Sequence, residues 1–167
     1  MSAPFTGSTL SKPPTASHIE FWVDTSSSWG IGIVFGGQWD FWRLLPGWNR
    51  DGRDIGWAEM VAIELGLLFA IHQGHSDIHF IIKSDNQGVI YAIEGGKSRN
   101  PAQNSVLQRI TALLTHNKIW ISSSYVPSSN NLADLPSRGL PVPNYPRTIS
   151  TFSIPPRLQP FIFRPVN

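Results

Sequence analysis

The sequence contains no cysteine, few charged residues (14%) and no long hydrophobic run. The absence of cysteine excludes disulfide scaffolds, thiolate zinc sites and cysteine nucleophiles, and it is typical of a reducing compartment. No apolar run approaches the roughly 20 residues of a membrane span. The N-terminus also lacks the hydrophobic region of a signal peptide. We therefore expect a soluble intracellular protein, cytoplasmic or nuclear, that does not enter a membrane.

Basic residues are too few to make the central part of the chain positively charged. Residues 18–139 contain nine Lys/Arg and all eleven Asp/Glu, so the overall net charge of +2 comes from the two ends. A surface that is not basic binds phosphates poorly by charge alone. If this chain binds nucleic acid, divalent cations must supply part of the attraction.

The composition changes twice along the chain. Its 167 residues, 41% of them hydrophobic and including seven Trp and nine Phe, are enough for one domain with a packed core. Residues 1–17 are rich in Ser, Thr and Pro and predict a flexible leader. Residues 18–140 are predicted to form the folded domain. Residues 141–167 predict an extended proline-rich tail whose aromatic side chains dock on the domain or on a partner.

Residues 18–35 organise the domain. They read as an apolar strand that ends in Asp24, a polar turn, and an antiparallel second strand. The dipeptide Gly36-Gly37 then predicts a tight turn into a third strand at 38–45. Asp24 therefore lies at the end of a core strand. A carboxylate there costs free energy unless it is paired or binds a cation.

The remaining pattern alternates helices with strands. Asp54 is a candidate N-terminal cap for the first helix. Asn100 is a candidate cap for the third helix, with Pro101 in its first position. The predicted elements are a helix at 57–73, a strand at 77–83, helices at 86–94 and 101–116, a strand at 118–126, and a short helix within 128–139 that Ser129 or Asn130 caps and Pro136 ends. This order predicts an α/β fold, a five-stranded mixed sheet of three antiparallel and then two parallel strands flanked by helices.

Four acids fall at element ends where they can converge. They are Asp24 on the first strand, Glu59 in the first turn of the first helix, Asp85 after the fourth strand and Asp134 in the last helix. Glu64 is about 140° around the helix from Glu59 and is expected to be solvated or locally paired. Clustered carboxylates bind Mg²⁺ or Mn²⁺, and two such ions can support phosphodiester cleavage.

Four motifs carry these acids in order: VDTSSSWGIGIVF, GRDIGWAEMVAIELGL, IKSDNQGVIYAI and YVPSSNNLADLPSRG. With them, residues 18–140 resemble the ribonuclease H family, specifically the ribonuclease H domain that follows reverse transcriptase in retroelements. The sequences of these motifs are most similar to those of fungal retrotransposons of the LTR or tyrosine-recombinase type. The resemblance implies a ribonuclease H-like fold and assigns Asp24, Glu59, Asp85 and Asp134 as catalytic ligands of two Mg²⁺ or Mn²⁺ ions.

The resemblance also implies a substrate and a reaction. The RNA strand of an RNA–DNA hybrid would be hydrolysed to 3′-hydroxyl and 5′-phosphate ends, with recognition through 2′-hydroxyl contacts in the minor groove. The candidate nucleic-acid-binding residues are polar, aromatic or basic: Thr25, Ser26, Ser27, Ser28, Trp29, Asn86, Gln87, Lys97, Arg99 and Asn104. Only two of them are cations. We therefore expect a fused or bound partner, such as a reverse transcriptase domain, to help hold the substrate.

The sequence departs from the family at two places, and the first is the segment 95–100, where some relatives have a basic protrusion and this chain has only Lys97 and Arg99. The second is the loop after the fifth strand. Many members have a histidine in the loop after the fifth strand, whereas residues 127–130 here read PSSN. The alternative is thus a catalytically weak or inactive domesticated domain that binds nucleic acid or protein. Integrase-like transposases are disfavoured because their glutamate follows the second aspartate, whereas Glu59 precedes Asp85. Proofreading exonucleases are disfavoured because they begin with Asp-x-Glu, whereas Asp24 is followed by Thr25-Ser26.

Overall fold

The computed structural model describes residues 4, 6, 12–149 and 152–166, apart from the side chain of Ile90. Of the predicted leader, residues 1–3, 5 and 7–11 lie outside the described part, whereas its end is attached to the domain: Ser17 N donates a hydrogen bond to His79 O, and Ala16 forms a β-bridge with His79. The strands are β1 (Phe21–Thr25), β2 (Gly30–Phe35), β3 (Gln38–Leu44), β4 (Ile78–Ser84), β5 (Ile119–Tyr125) and β6 (Ile162–Phe163). The helices are α1 (Ile55–His72), α2 (Gln87–Gly95), α3 (Pro101–Asn117) and α4 (Asp134–Ser137).

One mixed sheet has the strand order β5-β4-β1-β2-β3-β6. The pairs β1/β2, β2/β3 and β3/β6 are antiparallel, and β4 is parallel to both β1 and β5. The α/β class with a partly parallel sheet flanked by helices is therefore confirmed. The prediction of five strands is wrong, because the proline-rich segment contributes β6. At two residues, β6 is too short to show an alternating pattern.

The turns and caps follow local chemistry. Gly36 (φ 57°) and Gly37 (φ 79°) both have the positive φ that a tight hairpin between β2 and β3 requires. The Asp54 side chain accepts a hydrogen bond from Trp57 N at the start of α1. The Asn100 side chain accepts one from Ala102 N at the start of α3. These predicted caps are confirmed.

Helix α1 is buried on nearly all sides. It packs against the sheet and against α3, and 13 of its 18 residues are buried. A Cβ on Gly66 would lie 2.6 Å from Phe21 Cε1, so the absent side chain allows the helix to approach β1 closely. By length and composition alone α1 could cross a membrane, yet 72% of it is buried inside the protein. Such burial is characteristic of a core helix.

The segment that contains Asp134 differs from its prediction. A 3₁₀ turn (Ser128–Asn130) comes first, and α4 follows with Pro136 inside it rather than at its end. Pro136 occupies the first turn of α4, where a missing backbone N–H removes no helical hydrogen bond. Neither predicted residue caps this helix, since Ala133 precedes it without a side-chain hydrogen bond.

The C-terminal segment, defined here as residues 140–149 and 152–166, packs along the sheet and α1. Val142, Leu158 and Ile162 are buried. Its main anchor is Asp40 on β3, which is 1% exposed and ion-paired with Arg147 (3.1 Å) and Arg164 (2.9 Å). Two of its aromatic rings dock on the body of the protein, Phe152 against Trp42 and Phe161 against Trp57, whereas Phe163 is exposed.

Candidate metal centre

Three of the predicted acids meet at one edge of the sheet. Asp24 is the last residue but one of β1, Asp85 follows β4, the parallel neighbour of β1, and Glu59 comes from α1. Because α1 begins at Ile55, earlier than predicted, Glu59 lies in its second turn. One carboxylate oxygen from each of the three residues lies within 4.8 Å of the others. This grouping, called here the acid triad, could bind a metal ion.

Burial makes these charges costly. It is the main cause that raises the pKa of Asp24 to about 7, and the nearby carboxylates of Asp85 and Asp134 add to the rise. Burial likewise raises the pKa of Glu59 to about 8, with repulsion from Asp24 and Asp85 adding and the Thr25 side chain opposing. Among the described residues, Glu59 Oε2 has no hydrogen-bond partner.

No arginine or lysine forms an ion pair with Asp24, Glu59 or Asp85 in the described part of the chain. An unpaired buried carboxylate is destabilising, and three close together more so. A divalent cation would remove both the desolvation cost and the mutual repulsion. Hard oxygen donors of this kind suit Mg²⁺, Mn²⁺ or Ca²⁺.

Asp134 stands beside the triad rather than inside it. Its carboxylate is close enough to Asp24 to raise the pKa of that residue. It also forms an i,i+4 ion pair with Arg138 at 3.2 Å, with the two side chains 30% and 60% exposed respectively. The fourth predicted acid is therefore adjacent but already has a basic partner.

The sequence reasoning missed two residues that place Asp134 near Asp24. Gly32 pairs with Asp24 across β1 and β2, and a Cβ there would lie 2.4 Å from Ser137 N, so only glycine lets α4 sit on β2. The buried Asn131 donates a hydrogen bond to Val23 O at 3.0 Å. The glycines of GIGIVF and the paired asparagines of SSNNLADLP were the available signals.

Glu64, the acid that was not assigned to the site, points elsewhere. Arg109 on α3 holds it through two hydrogen bonds, of 2.7 and 3.0 Å, and the Glu64 side chain is only 2% exposed. The expectation of local pairing is confirmed and that of solvation is wrong. An arginine one helix away was not visible in the sequence pattern.

The candidate nucleic-acid-binding residues fall into three groups. Ser26, Ser27 and Ser28 form the turn after β1, in which Ser27 and Ser28 are exposed, whereas Thr25 is the last residue of β1 and its hydroxyl oxygen is buried. Asn86 caps α2, where Gln87 is exposed. The third group lies in the loop before α3, where Lys97 and Arg99 are exposed while the Asn104 side chain bonds the backbone of Ser98.

Trp29 is more constrained than the other candidates. Its ring packs on Phe41 at 4.8 Å between centroids, and Arg43 lies over it at 5.5 Å. A Cβ on Gly139 would be 2.5 Å from Trp29 Cε2. One face of the ring is therefore occupied by the protein.

A pocket of about 670 Å³ opens beside Asp134. Its polar lining includes Ser128, Ser129 and Asn130. Val142 and Tyr145 of the C-terminal segment also line it. This volume is within the usual range for ligand sites. Of the four predicted acids, Asp134 alone lines this pocket.

Comparison with known proteins identifies no relative. No protein-family model matches the chain, and no curated protein or solved structure matches it significantly.

Proposed function

We propose that this protein is a metal-dependent ribonuclease H that hydrolyses the RNA strand of RNA–DNA hybrids, on a ribonuclease H-like fold of retroelement origin. The observation that carries the proposal is the acid triad: Asp24 and Glu59 are buried, Asp85 is half-buried, none of the three forms an ion pair with the described residues, and one oxygen of each lies within 4.8 Å of the others. The three antiparallel strands followed by two parallel strands also support it.

In this proposal each acid has a defined task. Asp24 and Asp85 hold two Mg²⁺ or Mn²⁺ ions from neighbouring parallel strands, and Glu59 approaches them from α1. Asp134 completes the set from α4. When bound, the two ions would activate a water molecule and stabilise the leaving oxygen. Burial limits the access of water to Asp24 and Glu59 and therefore strengthens the attraction of their carboxylates for the cations.

In this proposal, direct contacts between basic side chains and phosphate groups contribute only modestly to substrate binding. The serines after β1, Asn86 and Gln87 flank the triad and would contact the hybrid, while Lys97 and Arg99 would supply positive charge from the loop before α3. Because the central body has a net charge of −2, we expect the substrate to be held with the help of a fused or bound reverse transcriptase domain. Intracellular localisation stays a prediction.

The second candidate is a domesticated domain that binds hybrid or protein without cutting. Two observations favour it: Arg138 already pairs with Asp134, and the loop that leads to α4 has no histidine. Both would lower the rate of cleavage without abolishing metal binding.

Cleavage of a labelled RNA–DNA hybrid in Mg²⁺ or Mn²⁺ tests the proposal, with duplex DNA and duplex RNA as substrate controls. We expect cutting of only the hybrid's RNA strand, and a loss of at least about 100-fold in Asp85→Asn, because outer-shell substitutions alone cost 10–100-fold. The matched control is Asp77→Asn. Asp77 is exposed at the other end of β4 and has a positive φ of 52°, which asparagine tolerates. Hybrid binding without cutting by the folded wild type would support the second candidate.

A further inference from the structure

A second pocket lies away from the acid triad, between the start of α1, the first half of α3 and the C-terminal segment. Its volume is about 240 Å³, below the range of drug-sized sites, so its ligand must be small. Trp57, Val106, Leu158 and Phe161 give it an apolar floor. Three arginines, Arg53, Arg109 and Arg157, also line it.

The three arginines differ in how their charge is balanced. Arg109 is neutralised by the buried Glu64, which it holds in two hydrogen bonds. Arg53 is held in place by a hydrogen bond to Trp48 O (2.6 Å) and stacks 3.9 Å from the Phe161 ring, but the carboxylate nearest to it, Asp51, is 3.7 Å away and 86% exposed.

Arg157 has no balancing charge among the residues that the structure describes. It is exposed, and it makes no ion pair or hydrogen bond with the residues from 12 to 149 or from 152 to 166. Two guanidinium groups, those of Arg53 and Arg157, therefore face one small pocket, and no buried carboxylate of the described part of the chain pairs with either. Surface pairs such as Arg53 with Asp51 are weak and leave most of the charge available.

We propose that this pocket binds a terminal phosphate group. The planar fork of guanidinium matches phosphate oxygens, and two such groups match a monoester, which carries about −1.5 to −2 at pH 7, better than a singly charged diester. Ser105 adds a donor: its oxygen accepts from Arg109 at 3.2 Å, which leaves its own O–H free. The apolar floor receives the group attached to the phosphate.

The site is separate from the metal centre. Trp57 and Glu59 are two residues apart on α1 and so about 200° around its axis, which places the pocket and the acid triad on opposite sides of the helix. Phosphate binding here needs no divalent cation. The inference therefore stands independently of the proposed ribonuclease activity.

The test is a titration of the full-length ¹⁵N-labelled protein in EDTA at pH 7 with adenosine 5′-monophosphate, followed by NMR. We expect saturable shifts of the amides of Ser105, Arg157 and Leu158, weaker ones with inorganic phosphate and none with adenosine. A 5′-phosphorylated tetranucleotide distinguishes the source. Tighter binding than the mononucleotide identifies the end of a nucleic acid as the ligand, and the reverse identifies a small nucleotide.

Arg157→Ala decides whether this pocket is responsible, because that side chain is exposed and its loss leaves the fold intact. We expect Kd to rise at least about tenfold, as for the loss of a hydrogen bond between two charged groups. The matched control is Arg50→Ala, an exposed arginine of the same loop as Arg53 that does not line the pocket, with Kd within about twofold. No saturable shift in the wild type, shifts around Asp24 instead, or an unchanged Kd in Arg157→Ala would each overturn the proposal.

Discussion

Buried carboxylates occur in two settings in this protein. Asp40 and Glu64 are each about 1% exposed and each is held by arginine, Asp40 by two and Glu64 by one in a two-point contact. Asp24 and Glu59 are similarly buried, at 4% and 6% exposed, yet no basic side chain in the described residues pairs with them. The same residue types at the same depth are thus compensated in one place and not in the other.

The difference distinguishes buried acids that hold the fold together from buried acids that are available to a ligand. A buried acid whose charge is balanced within the fold joins distant segments, as Asp40 joins β3 to the C-terminal segment. Buried acids that repel one another reduce stability, and a cation that binds them recovers it. This contrast, more than the presence of acids as such, makes the triad a candidate metal site.

The largest effect should come from removing Asp40. Asp40→Ala leaves two partly buried arginines without their carboxylate, and we expect a loss of about 3–5 kcal/mol in the free energy of unfolding, measured by urea denaturation. Asp51→Ala, at the exposed pair with Arg53, is the control and should change it by less than about 0.5 kcal/mol. A loss below about 1 kcal/mol for Asp40→Ala would remove the contrast.

Divalent cations should stabilise the wild type through the triad. At 100 times the dissociation constant, Mg²⁺ or Mn²⁺ should add about 2.7 kcal/mol, seen as a rise in Tm with metal concentration. The rise should be absent from Asp24→Asn and retained in Asp77→Asn. An equal rise in both variants would place the metal elsewhere.

The pH dependence of stability without metal gives the next test. The pKa of Glu59 is raised to about 8 in the folded state from an ordinary value of 4.5, so the folded protein holds the proton over this range more tightly than the unfolded chain. Stability is thus fully present below about pH 4.5 and falls as pH rises toward 8. Glu59→Gln should be more stable than the wild type at pH 8, by on the order of 2 kcal/mol, and not at pH 4, in denaturation with EDTA.

The smallest effect concerns the exposed pair of Arg138 and Asp134. Arg138→Ala should change stability by less than about 0.5 kcal/mol, because exposed i,i+4 pairs contribute little. It should also tighten metal binding, since Asp134 becomes free to join the triad. Weaker metal binding in this variant would show that the arginine helps to position Asp134.

Local chemistry in the sequence was sufficient for the elements around the site. Gly36-Gly37, Asp54 and Asn100 each act within three residues of themselves, so their effects could be predicted. Residues separated by long stretches could not. The partners of Asp40 lie 107 and 124 residues away, and nothing in the spacing of Arg147 or Arg164 indicates the pairing.

The acids themselves illustrate the same division. Their positions at strand ends predicted that Asp24 and Asp85 would meet, because parallel neighbouring strands end at one edge. That Asp134 stops short of the triad depends on its bond with Arg138 and on how α4 packs against Gly32. Those are contacts of the folded protein, and the sequence pattern does not indicate them.

Strand β6 also has a consequence for how the protein behaves in solution. Its two residues pair with Arg43 and Leu44 at what would otherwise be the outer edge of the sheet. An uncovered edge strand recruits strands from other molecules and promotes aggregation, and β3 here carries Trp39 and Trp42. A chain shortened to Gly139 would expose that edge along with the charge of Asp40. We therefore expect a chain shortened in this way to aggregate more readily than the full-length protein.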